Sequence, residues 1–156
     1  MAPSTSPECP SPTSSGKPSS SNAGPIRTHF SSNVFNIDTD TFAGFIDAFM
    51  KKCGFLHKER QDFVTYWGPQ LTSTPFIAIR FLAPKEYQDA AKLDVEVKER
   101  EDVRVVRLFA LFCNLTEAGN GDANVDEQVA VLLEEKSRPD VGREFCVFEW
   151  GGMIVR

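Results

Sequence analysis

The chain has 156 residues, of which 41% are hydrophobic, 25% charged and 11% aromatic, with a formal net charge of −5. It contains no apolar run of the roughly 18 residues that a membrane-spanning helix needs, and its composition excludes a collagen, a coiled coil, a disulfide miniprotein and a wholly disordered chain. The average hides a division. Residues 1–25 hold eight serines and six of the ten prolines but no aromatic residue. They are read as a disordered tail, because they have too little apolar surface to offset the entropy of ordering. Ser6-Pro7 and Ser11-Pro12 suit proline-directed phosphorylation, and Pro7 with Pro10 makes a minimal PxxP. Residues 26–156 carry every aromatic side chain and are read as a single domain.

Residues 26–37 suggest an extended segment interrupted at Ser31-Ser32-Asn33. Asp38, Thr39 and Asp40 then offer N-cap oxygens. Phe42, Phe45, Ile46, Phe49, Met50 and Cys53 follow at helical spacing, and Gly54 suits the left-handed residue that ends a helix. A second helix is expected over 57–67, with Gly68-Pro69 as its stop signal. Phe76 to Leu82 is an apolar, β-branched run between Pro75 and Pro84, and Leu93 to Lys98 alternates apolar with charged residues; both predict strands. Val103 to Leu115 predicts a long strand, buried on both faces from Leu108 to Cys113, with Val105-Val106 as a candidate bulge. Residues 116–126 read as a loop. Over 128–135 the alternation of Val129, Val131 and Leu133 favours a strand, while Val125, Val129 and Leu132 also fit a helix. Glu144 to Trp150 predicts a last strand, followed by Gly151-Gly152 and a short apolar end. Helices first and strands later imply an α+β fold: two N-terminal helices on a mainly antiparallel sheet of four to six strands.

Chemistry-bearing patterns are sparse. Asp122, Asn124 and Asp126 have the spacing of calcium ligands, but Glu127 stands where the loop needs glycine and Leu133 where it needs a bidentate acid. Cys53 and His57 are too few for a zinc site and lack the orienting acid and oxyanion donors of a nucleophilic pair. Phosphate-loop, dinucleotide, HExxH and GxSxG motifs are absent. No cofactor and no metal is therefore expected, and no enzyme class stands out. Basic residues interleave with acids, as in Lys58-Glu59-Arg60, which disfavours nucleic acid as a partner. Cysteines at 9, 53, 113 and 146 form no CxxC pair and read as reduced thiols. With no apolar signal segment and no membrane span, a cytoplasmic location is expected.

Tyr66, Trp67 and Trp150 are the candidate ligand-binding aromatics, since Tyr66 and Trp150 each carry a polar end that requires a partner. Glu149 joins them as a carboxylate able to accept a tyrosine or indole hydrogen bond. The glycines after Trp150 permit a close approach of this end of the chain to the Tyr66-Trp67-Gly68-Pro69 corner.

At these residues the chain resembles a largely uncharacterised group of bacterial and fungal domains. The run from Glu59 to Leu71, with Asp62-Phe63, Tyr66-Trp67 and Pro69, is similar to that group's E-x-x-DF-x-x-YW-x-P-x-L segment. Pro75 to Phe81 resembles the extended segment that follows it, and Val147 to Gly152 the terminal V-x-EWGG. The likeness spans about residues 55–152 of the chain. It implies a single β-rich domain and no catalytic activity. The function expected from the sequence is thus a non-catalytic binding or regulatory module whose partner is a protein. The alternative is a small-molecule binder or enzyme with an aromatic pocket between helices and sheet.

Overall fold

A computed structural model describes residues 29–100 and 102–156; the expected tail over 1–25 lies outside the described residues. The strands are β1 (Phe35–Asp38), β2 (Phe76–Phe81), β3 (Val103–Leu115) and β4 (Phe145–Ile154), joined in one sheet in the order β1-β2-β3-β4. β1 with β2 and β2 with β3 are antiparallel, whereas β3 and β4 run parallel over ten residue pairs. The helices are α1 (Phe42–Lys52), α2 (His57–Leu71), α3 (Pro84–Ala90) and α4 (Val125–Leu132). The expected α+β class is observed, with α1 and α2 packed together on one face of a mixed sheet.

The strand period of two decides which side chains meet those helices. Phe35, Ile77, Ile79, Phe81, Val106, Leu108, Ala110 and Phe112 point to the helix face and form the core with Ile46, Phe49, Met50, Phe63 and Trp67. Aromatic rings dominate the contact. Phe49 stacks on Phe81 at 4.2 Å, and Phe112 meets Phe42, Phe63 and Trp67 at 5.0–6.3 Å between centroids. β3 is buried on its helix face at Leu108, Ala110 and Phe112, whereas on the other face, expected to be equally covered, only Leu111 is buried and Phe109 and Cys113 are half-buried.

Several local expectations are corrected. The side chains of Asp38 and Thr39 do not cap α1; a 3-10 turn over Thr39–Thr41 precedes it, and the Thr39 hydroxyl donates to the Thr74 carbonyl instead. α2 runs through Gly68-Pro69 to Leu71. Continuing it buries Leu71 completely beside Trp67 on the same face, and the carbonyl that Pro69 leaves without its helical donor belongs to exposed Thr65, where it is open to solvent. The alternating segment 93–98 makes no strand: Leu93, Val95 and Val97 are half-buried, but the segment has only the isolated bridge between Val97 and Arg100. Pro84, which the sequence suggests as a strand boundary, instead begins α3 as a helix-starting residue.

Residues 125–132 are helical, against the favoured strand. The Asn124 side chain accepts from the Asp126 and Glu127 N–H groups at 2.9 and 3.1 Å, and these two acids sit in the first turn of α4. That cap outweighs a three-residue alternation, and the helix buries Gln128 and Leu132 on one face. The Val105-Val106 bulge is absent, since the β3–β4 register is unbroken from Val103 to Phe112. β4 continues straight through Gly151-Gly152. Gly54 behaves as expected: φ is 93°, and the Phe55 N–H closes α1 on the Met50 carbonyl at 3.1 Å.

Candidate interaction surface

α2 runs parallel to β4. Phe63 meets Trp150 edge-on at 5.3 Å, and one helical turn later a Cβ on Gly152 would lie 2.8 Å from Trp67 Cζ2 and 2.9 Å from the Ala110 carbonyl oxygen. Gly152 is therefore where the indole lies directly on the strand backbone. Tyr66 packs against Trp67 at 5.0 Å and Trp150 at 6.4 Å, yet remains 58% exposed. The structure thus brings Tyr66, Trp67 and Trp150 into one aromatic strip between α2 and β4, with Trp67 in the core and Tyr66 at its exposed end. The Trp67 Nε1 and one Glu59 carboxylate oxygen are buried there without a hydrogen-bond partner among the described residues.

Glu149 does not join them. It lies one residue from Trp150 and so points to the opposite face of the sheet. There it accepts from the Tyr87 hydroxyl at 3.1 Å and from Arg107 Nε. Arg107 also donates to Gln88 at 2.7 Å and lies 3.9 Å over the Tyr87 ring, a cation–π contact. Burial opposes the guanidinium's charge, but the Glu149 carboxylate and Tyr87 more than offset it and raise the Arg107 pKa. Burial and the neighbouring Glu149 charge push the Tyr87 phenol up as well. This cluster fastens α3 to β3 and β4. The signal for it in the sequence was the charged residue at 107 inside an apolar run, but its partners come from three separate segments.

Beside it is a recess of about 650 Å³ whose lining includes Gln88, Arg104, Arg107, Lys136 and Glu144. It follows the first half of β3, alongside which β2 does not extend. Cations and acids are mixed on its walls, so it has no single-sign field. Tyr66, Trp67 and Trp150 lie outside it.

Cys53 is fully buried, and burial pushes its thiol up to about 12, so it is not a thiolate at neutral pH. His57 instead has Arg60 at 3.4 Å from its Nδ1, in a group where Arg60 also bonds Asp47 and the Phe55 carbonyl. Asp122 accepts the Val34 N–H at 2.8 Å, pinning the loop after β3 along β1; no group of three or more metal-ligating side chains occurs among the described residues. No helix among them is long and apolar enough to cross a membrane.

The two outer strands of the sheet differ in how they end. The edge at β1 is shielded: Asp122 and Ala123 donate to the Val34 carbonyl at 3.0 and 3.2 Å, and Gly121 lies close against Val34 and Asn36. The outer edge of β4 has no such cover among the described residues. Val155 donates to the Phe112 carbonyl at 2.8 Å, which turns the backbone of the odd residues of β4 inward to β3. By the alternation of a parallel ladder, Cys146, Phe148, Trp150, Gly152 and Ile154 direct their N–H and C=O groups outward. The chain matches no family model, no curated protein and no solved structure.

Proposed function

We propose that this chain is a non-catalytic protein-interaction module that binds through the outer edge of β4 and the adjoining Tyr66–Trp150 strip. The observation that carries the reading is the unshielded edge itself. It extends ten residues, holds no proline and no basic residue, is free of bulges, and has its one charged side chain, Glu149, tied to Arg107, so it lacks most of the guards that edge strands ordinarily carry. An added strand would satisfy the five outward-facing residues, while exposed Tyr66 and half-buried Trp150 supply apolar contact beside it.

The test is a random-peptide selection on the full chain, held dilute enough to be monomeric. Bound peptides should slow amide exchange at Cys146, Phe148, Trp150, Gly152 and Ile154 and should lose affinity with Tyr66→Glu. Binders that leave those five amides unaffected would place the interaction elsewhere and defeat the proposal.

A second reading, a small-molecule site, rests on the 650 Å³ recess, whose volume lies within the range of ordinary ligand pockets. A metabolite thermal-shift screen tests it, because a specific ligand raises the melting temperature by mass action. A hit whose effect persists in Arg104→Ala would argue against the recess.

A further inference from the structure

We infer that the occupant of the β4 edge is a second copy of this chain, paired antiparallel about a twofold axis at Trp150. The inference rests on the interaction reading above and names its partner. Three independent features of the edge are self-complementary.

The first is the register. Pairing centred on Trp150 sets residues of equal parity opposite one another, so the outward-facing backbone of one copy meets that of the other. Phe148 then lies opposite the second copy's Gly152, and Glu149 opposite its Gly151. Phe148 and Glu149 thus each face a glycine, while Trp150 meets its own counterpart at the axis and Val147 faces Met153. No carboxylate faces a carboxylate, and Glu149 is already held by Arg107.

The second feature is the spacing of the layers. Phe63 and Trp67 of α2 each touch Phe112 on β3, and they meet Trp150 and Gly152 on β4, so α2 lies above the β3–β4 pair. Adjacent strands are about 4.8 Å apart, which puts the midline of that pair and its twofold mate about 9.6 Å apart. Two helices pack at about 8–10 Å between axes. Extending the sheet across β4 thus brings α2 and its counterpart within the ordinary range of helix packing.

The third feature is the chemistry of α2. Because Phe63 sits beside the axis, the antiparallel helices place Glu59 near the second copy's Tyr66. Glu59 has a carboxylate oxygen without a partner, and Tyr66 presents an exposed hydroxyl-bearing ring two turns away on the same face. The charged half of α2, His57 to Asp62, falls against the uncharged half, Phe63 to Leu71. Like charges are not brought together.

Sedimentation of the full chain over a range of concentrations tests this directly. A reversible dimer is expected, and the five outward amides of β4 should exchange more slowly in it than in the dilute monomer. Tyr66→Glu places a carboxylate opposite Glu59 and should abolish the dimer while the dilute monomer stays cooperatively folded, because the side chain is 58% exposed and its loss removes only the ring contacts to Trp67 and Trp150. Register is read by Val147→Cys with Met153→Cys, in a background where Cys9, Cys113 and Cys146 are serine. Within one chain these two positions are about 20 Å apart along the strand, so a disulfide between them must join two copies.

A chain that remains monomeric while peptides still protect the β4 amides overturns the second-copy assignment and leaves the interaction reading standing. A monomer without peptide protection overturns both. A monomer whose five amides are already slow shows that another part of the same chain covers the edge, and overturns the assignment too. A dimer that does not form the 147–153 disulfide overturns the register.

Discussion

On the helix-covered face of the sheet, Phe63, Trp67, Phe112 and Trp150 interlock almost without polar atoms. On the other face, one residue along the same strands, Arg107, Glu149, Tyr87 and Gln88 make a hydrogen-bonded cluster under the short helix α3. The first face is held by shape and apolar area, which tolerate no missing volume. The second is held by mutual satisfaction of partly buried charges, which tolerates no missing partner. The same backbone therefore responds to substitution by two different rules, alternating with residue number.

The largest effect is expected on the aromatic face. Phe63→Ala removes a fully buried ring that touches Trp67, Phe112 and Trp150. It should destabilise the fold by about 3–5 kcal/mol, as for other buried aromatic truncations. Chemical denaturation measures this. A loss below about 1 kcal/mol would mean that the helix layer can collapse onto the vacancy and that the face is less closely packed than it looks.

On the polar face the partner, not the volume, should matter. Arg107→Met keeps the bulk but leaves the Glu149 carboxylate with only Tyr87 as a donor among the described residues. A cost of about 1–3 kcal/mol is expected for an unsatisfied, partly buried acceptor. Adding Glu149→Gln should recover part of it, because the stranded charge is then gone. If the double variant is as unstable as the sum of both singles, measured by the same unfolding curves, the two side chains are not coupled and the rule for this face fails.

Gly151 and Gly152 sharpen the contrast within two adjacent residues. A Cβ at Gly152 would meet Trp67, the Ala110 carbonyl and Phe112, all between 2.8 and 2.9 Å, and backbone cannot move aside. At Gly151 the contacts are to the Phe109 ring at 3.1 and 3.2 Å, which can tilt. Gly152→Ala should therefore cost about 1–3 kcal/mol by overpacking. Gly151→Ala should stay well below that. Equal melting temperatures for the two variants would contradict the close seat of Trp67 on β4.

How far the sequence foretold this arrangement depended on how local each signal was. α1, with its apolar period and Gly54 terminus, and β3, with its two-sided apolar run, each contain their own evidence. The segment 128–135 does not: three alternating residues look like a strand, whereas the decisive Asn124 cap stands outside the window. Pro69 inside α2 and Pro84 opening α3 show a residue with a strong local preference overruled or reused by burial of Leu71 and Tyr87. At the candidate surface, the closeness of Tyr66, Trp67 and Trp150 follows from glycines that let β4 lie against α2. The turning away of Glu149 is a matter of strand parity, which emerges only once Trp150 is known to face the helices. The open edge of β4 was least legible, since an edge is defined by what fails to pair with it.

The smallest expected effect concerns two carboxylates, half-buried Asp47 and exposed Asp122, that tie elements together outside both faces. Arg60 donates to Asp47 and holds its carboxyl below the usual range, linking α2 to α1; the N–H groups of Val34 and Asn33 do the same for Asp122, which fastens the loop over the β1 edge. In each case the folded pKa lies below the unfolded value of about 3.9. Their contribution is therefore complete at neutral pH and is lost as pH falls through the lowered folded values. Melting temperatures measured from about pH 5 down to about pH 2 should drop more steeply for the wild type than for a variant with Asp47→Asn and Asp122→Asn, whose amides keep an acceptor oxygen but cannot titrate. Parallel curves would mean that neither carboxylate stabilises the fold, and that the loop shielding β1 is held by the Asp122 and Ala123 backbone bonds to Val34 alone. In that case the shielded and open edges of the sheet differ by backbone geometry and not by charge.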